Sequence, residues 1–321
     1  MTNTTGQHQP TFENILFATD FSEASQAAFR AALRLSLSFG ARLYILNVFE
    51  YVNISPPESG GILIDLHGFY QDAEVCLDKL VKEALSNGVR ATGTVAKGTS
   101  HTSILEHVAS KSIDLVVIGT RAIHGFDRLI FGSTAEAVLR KASCPVFTVG
   151  PQAAQQVFQM GSQEGNVLFA TDFHVTTKDA LRYAAAFASK MHLPLHCLNV
   201  LPRGADAGTH KGVIPGIVKE ALQHLVLTLN GTPAPPICAA VAYGSEISTA
   251  VVEYARGHDV KLIVLGVRRA SLAASHIPAH IAYRIITEAP CPVLTMAFPS
   301  EPKIGKTIVL EHSSTGQPAL V

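Results

Sequence analysis

Apolar positions along the chain fall into short continuous runs separated by longer stretches with helical spacing. Asn14–Thr19, Arg42–Phe49, Val89–Ala96, Leu115–Ile118 and Val146–Val149 are short runs that read as strands, and Leu115–Ile118 is apolar throughout, too brief for a helix and β-branched enough for a strand buried on both faces. Between them, Glu23–Phe39, Leu66–Ser86, Ser103–Lys111 and a segment around Ala135, Val138, Leu139 and Ala142 repeat apolar residues at helical spacing. Ser22 is placed to cap the first helix and Gly40 to stop it. Strands alternating with helices predict a parallel sheet covered on both faces.

The pattern then repeats. Asn14-Ile-Leu-Phe-Ala-Thr-Asp-Phe returns as Asn166-Val-Leu-Phe-Ala-Thr-Asp-Phe, 152 residues on, and Leu46-Asn-Val48 returns as Leu198-Asn-Val200 at the same offset. Ser143-Cys-Pro-Val returns as Pro290-Cys-Pro-Val after 147, so the second copy is five residues shorter between its second and fourth strands. The chain therefore divides into an α/β unit at 1–150, a polar linker at 151–165, a second unit at 166–298 and a tail at 299–321.

Chemistry concentrates after the fourth strand. Gly119 ends that run, Gly132, Ser133 and Thr134 open the next helix, and Arg121, His124 and Arg128 lie between. A strand, a glycine loop and a helix N-terminus bring free N–H groups to one spot, which suits a phosphate. The same glycines also serve turn geometry, and Ser133 serves equally as a helix cap, so the residues alone leave both readings open.

The spacing Gly119-x2-Ala122-x9-Gly132-Ser133, followed by a helix and Cys-Pro-Val, resembles the nucleotide-binding signature of the universal stress protein family. Asn14-Ile-Leu-Phe-Ala-Thr-Asp20-Phe-Ser-Glu23 is similar to that family's first strand and acidic turn. Ala122 departs from the signature, standing where the ATP-binding members have a second glycine. The resemblance implies two tandem Rossmann-like domains of the adenine nucleotide alpha hydrolase type, each a five-stranded parallel sheet of order 3-2-1-4-5. It assigns Asp20 to the ribose, Ala18 and Val48 to the adenine pocket, and Gly119, Ala122, Gly132, Ser133 and Thr134 to the phosphates of ATP, with magnesium as an accompanying ion. An acid at a helix N-terminus is the alternative reading of Asp20, and a core residue that of Val48. The resemblance further implies that the two halves pair through their fifth strands, Val146–Val149 against Val293–Met296, with a homodimer of chains as a further step.

In the second copy Arg269, Ala279 and His280 replace the second glycine, the third glycine and the hydroxyl residue after Gly266, although Asp172 survives. The expectation is one nucleotide site, in the front copy, with the rear one empty. The function expected is stress-responsive regulation, with ATP coupled to conformation or oligomeric state. The alternative is a scaffold that binds no nucleotide and works through protein–protein contact.

Composition narrows the field. Lys+Arg and Asp+Glu are both 25, so no charge excess points to nucleic acid. Five cysteines without a CxxC suit a reducing cytoplasm rather than a disulfide framework. Mean hydropathy is +0.26, yet no apolar run approaches the roughly 20 residues of a membrane span. The polar start lacks the apolar core of an export signal. Pro194 and Pro278 interrupt the pairs His192/His196 and His276/His280, which argues against a metal site, and Cys144 and Cys291 read as small buried hydrophobes. No nucleophile stands with a base, so ATP hydrolysis is expected to be weak at most.

Overall fold

The computed structural model describes residues 10–50, 66–120, 132–155, 164–173, 177–205, 212–229, 235–268 and 278–298. The front half runs β1 (Asn14–Thr19), α1 (Glu23–Phe39), β2 (Arg42–Phe49), α2 (Leu66–Ser86), β3 (Ala91–Lys97), α3 (Ser100–Ser110), β4 (Leu115–Gly119), α4 (Ser133–Lys141) and β5 (Val146–Val149). The rear half repeats it as β6 (Asn166–Ala170), α5 (Thr177–Met191), β7 (Leu195–Pro202), α6 (Val213–Leu227), β8 (Ile237–Gly244), α7 (Ile247–Gly257), β9 (Val260–Arg268), α8 (Pro278–Glu288) and β10 (Val293–Phe298).

All ten strands form one sheet of order β3-β2-β1-β4-β5-β10-β9-β6-β7-β8. Each half is parallel with the order 3-2-1-4-5, and the halves meet where β5 and β10 run antiparallel, Phe147 opposite Leu294. The Thr295 hydroxyl donates to the Val146 carbonyl across this seam (3.3 Å). On one face Phe12, Phe39, Tyr183 and Phe187 cluster with ring centroids 4.9 to 5.9 Å apart, joining α1 to α5. On the other face α4 lies against β10. Gly150 follows β5, and a Cβ there would fall 2.0 Å from the Ile286 carbonyl oxygen of α8, so only glycine permits this approach.

The local signals operate largely as the pattern predicts. Ser22 accepts from the Ser25 N–H, and Gly40 closes α1 at φ 69°. Three elements differ. β3 begins at Ala91 rather than Val89, because Val89 instead bonds the Ala84 carbonyl as the chain leaves α2. α3 begins at Ser100, three residues early, because the Glu50 carboxylate accepts from its N–H (2.6 Å). In the rear half the apolar run Leu262–Leu265 would end its strand at Gly266 by analogy with β4, but β9 continues to Arg268, because β10 accompanies it as far as Phe298. Pro278 is the first residue of α8, where its missing N–H costs nothing.

Candidate functional site

Side-chain parity places the site. On β1, β2 and β4 the odd-numbered Ile15, Phe17, Ile45, Leu115 and Val117 enter one core layer, against α1. Leu16, Leu46, Val116 and Ile118 enter the other, against α3 and α4. Continuing that period of two past the strand ends puts Ala18 and Asp20, Val48 and Thr120 on the α3/α4 side. There a cavity of about 340 Å³ opens at the carboxyl ends of β1 and β4, strands that pair directly although a crossover separates them in sequence. This reversal of strand order is where open α/β sheets hold ligands.

Of the residues singled out in the sequence, Ala18, Asp20, Val48, Gly119, Gly132, Ser133 and Thr134 all line this cavity. Ala122, with Arg121, His124 and Arg128, lies outside the described residues. Leu46, Ile104 and Ile118 complete an apolar wall, and Thr19, Ser22, Ser25, Ser100, Thr120 and Ala135 add polar groups and backbone that the motif did not reveal. The period-two argument would have found Ile118 and Thr120. Ser100 and Ile104 come from a helix that no local signal ties to the glycine loop.

Asp20 sits in a constrained turn. The next residue, Phe21, has φ 59°, an unfavourable region for a bulky side chain. Two bonds hold it: the Thr19 hydroxyl accepts from the Phe21 N–H (2.9 Å), and the Asn47 amide donates to the Thr19 carbonyl (2.9 Å). The rear half builds the same turn, with Phe173 at φ 60°, Thr171 accepting from its N–H (3.0 Å) and Asn199 donating to the Thr171 carbonyl (2.8 Å). Asp20 also accepts from the Ser22 N–H (3.0 Å), so its carboxylate addresses both the start of α1 and the cavity.

Three helix N-termini reach the cavity, and they are not equivalent. α1 is closed by Ser22 and Asp20. α3 is closed by Glu50, and the Ser100 hydroxyl and N–H hold that carboxyl below the usual carboxylate range. α4 starts from Gly132, which has no side chain to cap it, and the first returning bond is Glu136 N–H to the Gly132 carbonyl (2.9 Å). Helix geometry leaves the N–H groups of Ser133, Thr134 and Ala135 without an intrahelical acceptor. Ser133 is thus the first helical residue and not the cap.

The two signature glycines have different causes. A Cβ on Gly119 would lie 2.5 Å from the Ala24 carbonyl oxygen, so glycine there admits α1 rather than clearing space for a ligand. Gly132 has an ordinary φ of −60°, and among the described residues a Cβ there would meet nothing within 4 Å. Neither backbone strain nor packing asks for glycine at 132. The space a side chain would take belongs to the cavity.

In the rear half α8 begins at Pro278, but the side chains of Ala279 and His280, and Arg269 altogether, lie outside the described residues, as does His276. His196 bonds the Tyr254 hydroxyl through Nδ1 (2.9 Å), and burial lowers its pKa. Among the described residues no three His, Cys, Asp or Glu side chains gather as metal ligands. Cys291 is buried and its thiol is pushed up by burial, while Cys144, its counterpart, is half-buried. No helix among the described residues is long and apolar enough to cross a membrane.

Comparison with known proteins agrees with this architecture. A universal stress protein of Methanocaldococcus jannaschii is 29% identical over 141 residues, covering 43% of this chain and 82% of its own length. Universal stress protein YxiE of Bacillus subtilis is 30% identical over 146 residues, covering 43% of this chain and 99% of its own. Each relative therefore corresponds to one half. Among solved structures, a universal stress protein from Archaeoglobus fulgidus superposes with a TM-score of 0.66 over 88% of this chain and 98% of its own, at 20% identity, a likeness of fold. The profile of the universal stress protein family fits residues 11–150 and again 165–296. With two separate matches that together cover most of its length, this chain belongs to the universal stress protein family and carries two of its domains in tandem.

Proposed function

We propose that the front domain binds ATP and that the chain acts as a nucleotide-responsive regulator of a stress response in the cytoplasm. The observation that carries this reading is the start of α4: an uncapped N-terminus facing a cavity, entered from a glycine that neither packing nor φ requires. An anion completes such a terminus, through both the free N–H groups and the helix dipole. Because Asp20 and Glu50 already occupy the other two N-termini, the phosphates are directed to α4. Asp20 then faces the ribose hydroxyls, and Ala18, Val48 and Ile118 supply an apolar slot for the base. Gly119, Ala122, Gly132, Ser133 and Thr134 form the phosphate loop. Magnesium would arrive on the phosphate oxygens, as it usually does.

Coupling to the rest of the molecule runs through α4. Its body rests on β10, and Tyr283 of α8 lies within electrostatic reach of Glu136 and Arg140, its hydroxyl pushed up to about 12 chiefly by burial. A ligand pulling on the first turn of α4 therefore pulls against the rear half. In this reading that half, with Ala279 and His280 in place of the glycine and hydroxyl, binds no nucleotide. The alternative, a scaffold acting by protein contact alone or as a homodimer, is favoured by Ala122 in the signature. Calorimetric titration of ATP into the full chain separates the two: saturable binding supports the first and absence of heat the second.

A further inference from the structure

We propose that the Thr120 hydroxyl donates a hydrogen bond to a phosphate oxygen of the bound nucleotide, a contact outside the glycine signature; this rests on the cavity being a nucleotide site. Thr120 lines the cavity immediately after Gly119 and is 3% exposed. Its N–H is fixed on the Val149 carbonyl (3.0 Å), so the backbone is held and only χ1 is free. Strand parity directs the side chain to the α3/α4 layer, the side on which Ser133 and Thr134 open α4.

Among the described residues the hydroxyl has no hydrogen-bond partner, and it is closed to solvent. Such a group costs stability unless something arrives to satisfy it. Rotation of χ1 between staggered wells exchanges the hydroxyl with the methyl at the cavity wall. A phosphate oxygen held by the α4 N-terminus then becomes its acceptor.

The rear half supplies the internal comparison. At the offset of 147 that relates Gly119 to Gly266, the counterpart of Thr120 is Val267, which packs against the same core layer. Valine has the shape of threonine without the hydroxyl. The fold therefore accepts valine at this position, and the hydroxyl is present in the half whose helix terminus is open.

Thr120→Val and Thr120→Ser, each in the full chain, test this against ATP and adenosine by calorimetry, with thermal melting alongside. The expected result is that Thr120→Val melts no lower than the parent and binds ATP about tenfold or more weakly, the loss of one hydrogen bond to a charged acceptor. Its adenosine affinity stays unchanged, and Thr120→Ser stays close to the parent on ATP. Equal ATP affinity for Thr120→Val and the parent overturns the proposal while leaving the nucleotide site standing. Equal losses for ATP and adenosine overturn it by assigning the hydroxyl to the nucleoside. A parent chain that binds no ATP removes the underlying reading instead.

Discussion

Gly119 and Gly132 belong to one signature, yet alanine at the first and glutamate at the second should fail in opposite ways. In Gly119→Ala the new Cβ would stand 2.5 Å from the Ala24 carbonyl oxygen and 2.8 Å from its carbon. Both atoms are backbone in the first turn of α1, so the helix must move by several tenths of an ångström. Overpacking of this kind costs about 1–3 kcal/mol, and melting of the front half, a unit of about 150 residues, should fall by about 2–4 °C per kcal/mol. In Gly132→Glu nothing among the described residues lies within 4 Å of the Cβ, so the fold should lose no more than about 1 kcal/mol, the scale of a cap change. Its carboxylate, however, enters the phosphate space. Like unit charges about 4 Å apart in an effective dielectric of about 20 repel by about 4 kcal/mol, roughly a thousandfold in affinity. Thermal melts and ATP titration of both variants test the pair. A Gly119→Ala chain that melts with the parent, or a Gly132→Glu chain that binds ATP equally well, would refute the assignment.

Two further outcomes follow from contacts elsewhere. Gly150→Ala drives a Cβ to 2.0 Å from the Ile286 carbonyl and should destabilise the seam between the halves by at least the 1–3 kcal/mol of ordinary overpacking, read as a lower denaturation midpoint; an unchanged midpoint contradicts the close approach. The Glu50 carboxyl is held below its ordinary range by Ser100, so its contribution is present above the unfolded carboxylate value and disappears as pH falls through the lower folded one. Glu50→Gln should thus melt below the parent at neutral pH and converge with it in acid; a constant difference across that range would assign the effect to packing.

The two halves and their alternating strands and helices were legible in the sequence because they depend on local, repeated pattern. Ile15-Leu16-Phe17 and Val167-Leu168-Phe169 announce buried strands whatever surrounds them, and the resemblance supplied the 3-2-1-4-5 order. Long-range partners were not legible. The start of α3 is fixed by Glu50, 50 residues away, and the end of β9 by the reach of β10. The glycines show the same limit. A motif records that residues 119 and 132 lack side chains but not that one makes room for α1 and the other for the cavity. Thr120 shares the parity of the strand before it and its valine counterpart is readable from the repeat, but its unmet hydroxyl shows only once it is placed in space.

The central claim is an asymmetry between two similar halves, and the number of nucleotides per chain measures it directly. Native mass spectrometry of the full chain saturated with ATP should find one nucleotide bound, lost in Gly132→Glu. Two per chain would show the rear half to be open, and none would leave the uncapped start of α4 without a ligand.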